Sequence, residues 1–143
     1  MRAWISGGSS GHLLAWTTAF LLSVVLVACS PMEGGPPDMG GVEGHLGLVI
    51  GYLPEGCGPV GLDGDGRGRM VGAAFECLED SALRMERFDS EFNSDPLPAS
   101  PSETGAGRVE WRDGQTGDVI RVASDDLDID VVLRVAESIE VLD

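Results

Sequence analysis

The sequence contains no lysine, and only two of its 143 residues are histidine. Every positively charged side chain is therefore an arginine, 9 in all, set against 24 Asp and Glu for a formal charge of -15. Acids are missing altogether before Cys29, where Arg2 lies, so the part after Cys29 carries 8 Arg against 24 acids, a net of -16. Nucleic-acid binding needs a cationic stripe that displaces counterions from phosphates, and a chain this acidic repels that polyanion. Anionic lipid headgroups are repelled for the same reason, so the protein surface is not expected to lie flat on a membrane. Aromatic residues are scarce, at 6%, and the chain is short, which leaves room for one small domain with a modest core. An apolar run long enough to cross a bilayer is missing too. The run over residues 13–28 has 16 residues, fewer than the roughly 20 that a helix needs.

What that run does have is the outline of an export signal. A polar, small-residue segment carrying Arg2 precedes it, it contains no charge, and it closes in Leu26-Val27-Ala28-Cys29. These four residues resemble the lipobox of bacterial lipoproteins. The resemblance implies that the Cys29 thiol accepts a diacylglyceryl group and that a peptidase then cuts on its amino side. A small residue just before the cysteine and an apolar one at the third position before it suit that peptidase. Residues 1–28 are thus expected to be a lipoprotein signal peptide and Cys29 the lipid attachment site, placing the protein in the cell envelope. The anchor would hold it on the outer face of the cytoplasmic membrane or on the outer membrane. Ser30 follows the cysteine in place of the Asp that signals inner-membrane retention in two-membrane bacteria. The alternatives are an uncleaved anchor or an ordinary secretory signal.

From Ser30 to about Gly44 the chain is rich in Gly and Pro, a composition that buries too little apolar surface to order itself. Residues 29–45 are expected to be the lipidated cysteine and a flexible tether, with His45 near its end, and residues 46–143 a folded head. Within the head, residues 46–52 read as a strand halted by Pro54, and residues 59–68 as a long glycine-rich loop. Residues 69–78 and 83–88 read as two strands, and residues 93–107 as a second loop. Val109-Glu110-Trp111-Arg112 and Val119-Ile120-Arg121-Val122, with Asp113-Gly114 and Gly117 between them, predict a hairpin. Ile129, Val132, Leu133, Ala136, Ile139 and Leu142 recur at the spacing of one helix face. Asp128 is placed as its N-cap, Asp130 complements the helix dipole, and Leu127 is placed as a staple. The expected class is α+β, a small antiparallel sheet with a C-terminal helix packed on one face.

Tyr52-Leu53-Pro54-Glu55-Gly56, the Trp111 hairpin and the closing Val135-Ala136-Glu137-Ser138-Ile139 resemble an uncharacterised domain of bacterial surface proteins. That domain looks like the carboxy-terminal module of some sigma-factor-linked membrane proteins and lipoprotein-carrier relatives. The likeness covers the two ends of the head. It implies a binding or sensing accessory with no catalytic residues to carry over.

Cys57 and Cys77 are the cysteines that remain once Cys29 is acylated, and they form a candidate disulfide in an oxidising compartment. The alternative is a buried thiol at Cys77 and a separate loop thiol at Cys57. With His45 assigned to the tether, the head lacks the base or ligand that Ser-His-Asp hydrolysis and ordinary zinc sites use. Asp63-Gly64-Asp65-Gly66-Arg67-Gly68 imitates a calcium loop, but Arg67 stands at the third ligand position and Ala74 where the bidentate Glu belongs, so it reads as a flexible loop. The acids of Asp125-Asp126-Leu127-Asp128-Ile129-Asp130 are better explained as cap and dipole partners, and the four Met after Cys29 are too scattered for a copper site. No metal or cofactor is expected. The expected function is a membrane-anchored, non-enzymatic accessory that binds an envelope partner. The competing expectation is a small envelope hydrolase that works through paired carboxylates.

Overall fold

The order of the head begins earlier than its composition suggests. In the computed structural model, which describes residues 37–92 and 94–143, Asp38 is extended and its Oδ1 accepts a hydrogen bond from the Gly41 amide at 2.7 Å. This caps a helix, α1 (Met39–Leu46), which ends where Gly47 takes a left-handed φ of 63°. Tether therefore does not extend to residue 45. Three helical glycines cost about 1 kcal/mol each. Val42 and Leu46, one turn apart and buried to 1% exposure or less, gain about 1.5–3 kcal/mol each from burial, which offsets them. Residues 1–28, expected to be a signal peptide, and Cys29 lie outside the described residues, and among those residues no helix is long and apolar enough to cross a membrane.

After α1 come β1 (Leu48–Ile50), β2 (Gly58–Gly64), β3 (Met70–Glu76), a 3-10 turn (Leu78–Asp80), β4 (Ala82–Phe88), β5 (Ser102–Gly105), β6 (Arg108–Arg112), β7 (Val119–Ala123), α2 (Ile129–Glu137) and β8 (Ile139–Val141). Six of these strands form one antiparallel sheet in the order β2-β3-β4-β7-β6-β5, and β1 pairs with β8 in a separate ribbon. The register Phe75↔Leu83, Met85↔Val122 and Trp111↔Ile120 aligns apolar residues on one face. That face packs with Val42 and Leu46 of α1 and Val132, Val135 and Ala136 of α2 into one core. The fold is α+β, an antiparallel sheet carrying the C-terminal helix on one face.

Three expectations are corrected. Residues 59–68 hold most of β2, and residues 93–107 contain β5. Both are edge strands, where Gly and Pro are tolerated and one side lacks a partner, so neither shows the burial alternation of the central strands. The closing helix stops at Glu137, and Ile139 enters β8 opposite Ile50. Ser138 diverts the chain: its hydroxyl donates to the Val135 carbonyl at 2.7 Å and accepts from the Tyr52 amide at 3.0 Å, a local bond that competes with helix continuation. Asp128 holds the N-cap position of α2 without a side-chain capping bond. Ser124 Oγ instead accepts from the Leu127 amide at 3.0 Å.

Candidate functional site

Cys29 lies outside the described residues. Cys57 and Cys77 are joined as a disulfide with a sequence separation of 20. Gly58 is already paired with Glu76, so the bond closes the end of the β2–β3 pair and holds the segment before β2 against the one after β3.

A groove of about 360 Å³ opens at this end of the sheet, lined on its apolar side by Pro54, Leu78, Leu127 and Val131. Leu78 starts the β3–β4 turn and is 62% exposed. Gly56 lies against it so closely that a Cβ there would overlap the leucine side chain. Glu79 and Asp80, next in the turn, have positive φ of 61° and 59°. Primed hairpin turns usually give such positions to Asn or Gly, and a non-glycine residue held there costs of order 1 kcal/mol. The rim carries Glu55, Glu79, Asp126 and Asp128. None of the four joins an ion pair among the described residues.

Elsewhere five acids, Asp63, Asp65, Glu86, Glu110 and Asp118, are held by arginines. On the face of the sheet away from the helices, Arg121 donates to Glu110 at 2.6 Å and to Glu86 at 3.1 Å. Arg84 donates to Glu86 at 2.8 Å and also pairs with Asp63. Gly72 makes room for that second pairing, because a Cβ there would overlap the Asp63 carboxylate. Thr104 donates to Glu110 at 2.6 Å, and Arg108 lies 3.5 Å from it. Burial pushes the Glu110 carboxyl up, but Thr104, Arg121 and Arg108 together hold it below its ordinary value. The guanidinium of Arg84 is raised by Glu86 first and by Asp63. That of Arg121 is lowered by burial but raised overall by Glu110 and Glu86. Glu110 is thereby held as an anion, which suits a structural ladder and not proton transfer.

A second, polar cavity of about 280 Å³ lies beside the end of α1, lined in part by His45, Arg87, Asp89 and Asp118. Arg87 is the one charged residue in the inward register of β4. It donates to Asp118 at 2.7 Å and to the carbonyls of Leu46 and Gly47 at 3.2 and 2.9 Å. Asp118 also accepts from the Ser90 amide at 3.2 Å. His45, expected in the tether, stands in the last turn of α1, and its Nε2 donates to the Asp63 carbonyl at 2.8 Å. The head therefore does contain a histidine, and it ties α1 to the edge strand β2.

Of the Asp63–Gly68 segment, Asp63 and Gly64 end β2 and residues 65–69 form a closed turn to β3. Asp65 accepts from the amides of Arg67 and Arg69 at 2.9 and 3.1 Å and from the Arg69 guanidinium at 3.0 Å. The Arg67 amide, first among these, holds the Asp65 carboxyl below its ordinary value against the opposing effect of burial. Among the described residues, no group of three or more His, Cys, Asp or Glu is placed to hold a metal ion.

No family model matches the chain, and no curated protein or solved structure matches it. The groove at the disulfide end escaped the sequence because three separate segments build it. The one local signal was Cys77-Leu78-Glu79-Asp80, a bulky apolar residue set directly before two acids.

Proposed function

We propose that the chain is the precursor of a bacterial lipoprotein, cut before Cys29 and held at the cell envelope by lipid on that cysteine. Its head acts as a non-enzymatic binding accessory. The observation that carries the anchor is Leu26-Val27-Ala28-Cys29 at the end of an uncharged run of 16 residues. One acyl chain holds a protein only marginally and two or three hold it stably, so the lipidated form partitions with membranes. The Cys57–Cys77 bond supports an oxidising, extracytoplasmic location, where disulfides persist. The apolar groove at the same end supports a binding role. A carboxylate hydrolase needs two facing acids of divergent pKa. The most buried acid, Glu110, is instead clamped as an anion by Thr104 and Arg121, which favours the binding reading.

Labelling with a clickable fatty acid in a bacterial host tests the anchor. Wild type is expected to take up label and Cys29→Ala to take up none; equal labelling refutes it. In-cell crosslinking of the anchored protein tests the accessory role. Reproducible recovery of one envelope protein supports the role, and recovery of none refutes it.

A further inference from the structure

We infer that the groove between the β3–β4 turn and the start of α2 docks a cationic peptide segment with an apolar anchor residue, presented by an envelope protein. This rests on the accessory reading and adds the chemistry of the partner. Two independent features of the groove define that chemistry. The first is its apolar lining of Pro54, Leu78, Leu127 and Val131, of which Leu78 is 62% exposed. A bulky aliphatic side chain left in water gains by being covered. The second is the sign of the rim. Glu55, Glu79, Asp126 and Asp128 border the same lining and are neutralised by no arginine.

The arginines are committed to other places. Arg69 pairs with Asp65, Arg84 with Asp63 and Glu86, Arg87 with Asp118, and Arg108 and Arg121 with Glu110. Arg112 bonds the carbonyls of Gly117 and Asp95, and Arg134 lies 4.3 Å over the Tyr52 ring. An anionic ligand or headgroup meets only repulsion at this rim. A second copy would bring the same four carboxylates against it, and like charges set face to face disfavour that pairing. A lysine- or arginine-bearing segment with one leucine-like residue satisfies both features, since its cations pair with the rim while its apolar residue covers Leu78. The floor is also fixed in advance. The disulfide pins Cys77 next to Leu78, and the left-handed Glu79 and Asp80 set the direction of the turn. Less conformational freedom is then lost on binding.

The test uses the full chain in zwitterionic detergent micelles and short fluorescent peptides rich in Lys and Ser. One peptide has a central leucine, one has glycine in place of that leucine, and one has glutamate in place of every lysine. Fluorescence anisotropy is expected to show binding of the leucine peptide and at least about tenfold weaker binding of the other two. Leu78→Ser, and separately Glu79→Gln with Asp126→Asn, are expected to weaken the leucine peptide about tenfold. Glu103→Gln with Glu140→Gln, which removes two charges outside the groove, is expected to change it less than about twofold. Leu78 is largely exposed, and the charge pair gives a second route should the serine variant fold poorly. Equal weakening by both charge pairs overturns the proposal, because attraction would then follow net charge alone. Equal binding of the glycine peptide, or self-association that Leu78→Ser abolishes, overturns it as well. If wild type binds none of the peptides, the docking proposal falls, while fatty-acid labelling at Cys29 and in-cell crosslinking still judge the accessory reading separately.

Discussion

Replacing Arg87 by Met should detach α1 from the sheet. The side chains of Arg87 and Asp118 are 18% and 17% exposed, and their ion pair measures 2.7 Å. The same guanidinium donates to the last carbonyls of α1, at Leu46 and Gly47. Methionine keeps an apolar stem of similar length but removes every donor. Removing one partner of a buried ion pair costs about 3–5 kcal/mol, because the other charge stays uncompensated. Residual exposure and the Ser90 amide on Asp118 ease that penalty, so the lower end applies, about 3 kcal/mol in total. The orphaned carbonyls are counted within that figure, since solvent reaches a freed helix end.

Urea unfolding at neutral pH measures the loss. With an m value of about 2 kcal/mol/M for a domain this small, the midpoint should fall by about 1.5 M. Hydrogen exchange locates the loss, with α1 amides losing protection ahead of those of α2. A double-mutant cycle adds a signature that simple destabilisation lacks. A Cβ at Gly47 would overlap Arg87 Nη1 as well as strain a φ of 63°, so Gly47→Ala should cost more in wild type than in the Arg87→Met background. A loss below about 1 kcal/mol, or equal loosening of α1 and α2, refutes the assignment of Arg87 as the fastener of α1.

Two further outcomes follow from the disulfide and from the ladder on the open face. Reducing Cys57–Cys77, or replacing both with Ser, frees a loop of about 20 residues and should lower stability by about 3 kcal/mol by chain-entropy reasoning; an unchanged urea midpoint refutes this. Glu110 has its folded-state pKa held below the ordinary value, so its contribution is present above the unfolded pKa and is lost as pH falls through the folded one. The stability gap between wild type and Glu110→Gln should therefore be constant near neutral pH and shrink below about pH 4.5. A gap that does not change with pH shows that Glu110 is not the acid-labile member of the ladder.

The parts of the fold legible in the sequence are those whose burial is decided by neighbours on both sides. Central strands β3, β4, β6 and β7 carry apolar residues at every inward position except Arg87, and the α2 stripe from Val132 to Ala136 is equally plain. Where one side of an element lacks a partner, the pattern fails. β2 has Val60, Leu62 and Asp63 exposed together, and β5 is Ser-Glu-Thr-Gly. Helix α1 was hidden for the opposite reason, since its glycines speak against a helix and only tertiary burial of Val42 and Leu46 makes one. Ile139 and Leu142 fit the helical period and still leave it, because pairing β8 with β1 satisfies backbone groups that a longer helix would not reach. The two cysteines were legible as a candidate pair. The groove they support was not, because its three segments, around residues 54, 78 and 127–131, lie far apart in the chain and meet only in the fold.

The absence of lysine explains where the surplus negative charge ends up. Arg121 reaches two carboxylates at once, through Nε and Nη1, and Arg87 bonds a carboxylate and two carbonyls. A planar guanidinium does this with fixed donor directions, whereas a lysine ammonium is a single hydrated point charge on a flexible stem. Few cations of this type therefore suffice to lock the open face and the end of α1. Apart from Arg67 in the β2–β3 turn, every arginine after Cys29 is engaged in such a contact or in the stack on Tyr52. The net charge of the head is consequently uneven. The four acids beside Leu78 have no arginine partner, so a field that attracts a cation is present where the apolar contact is to be made. Salt screens such a field over roughly 8 Å at physiological strength, and the rate of encounter should fall with added salt more steeply than the rate of dissociation rises.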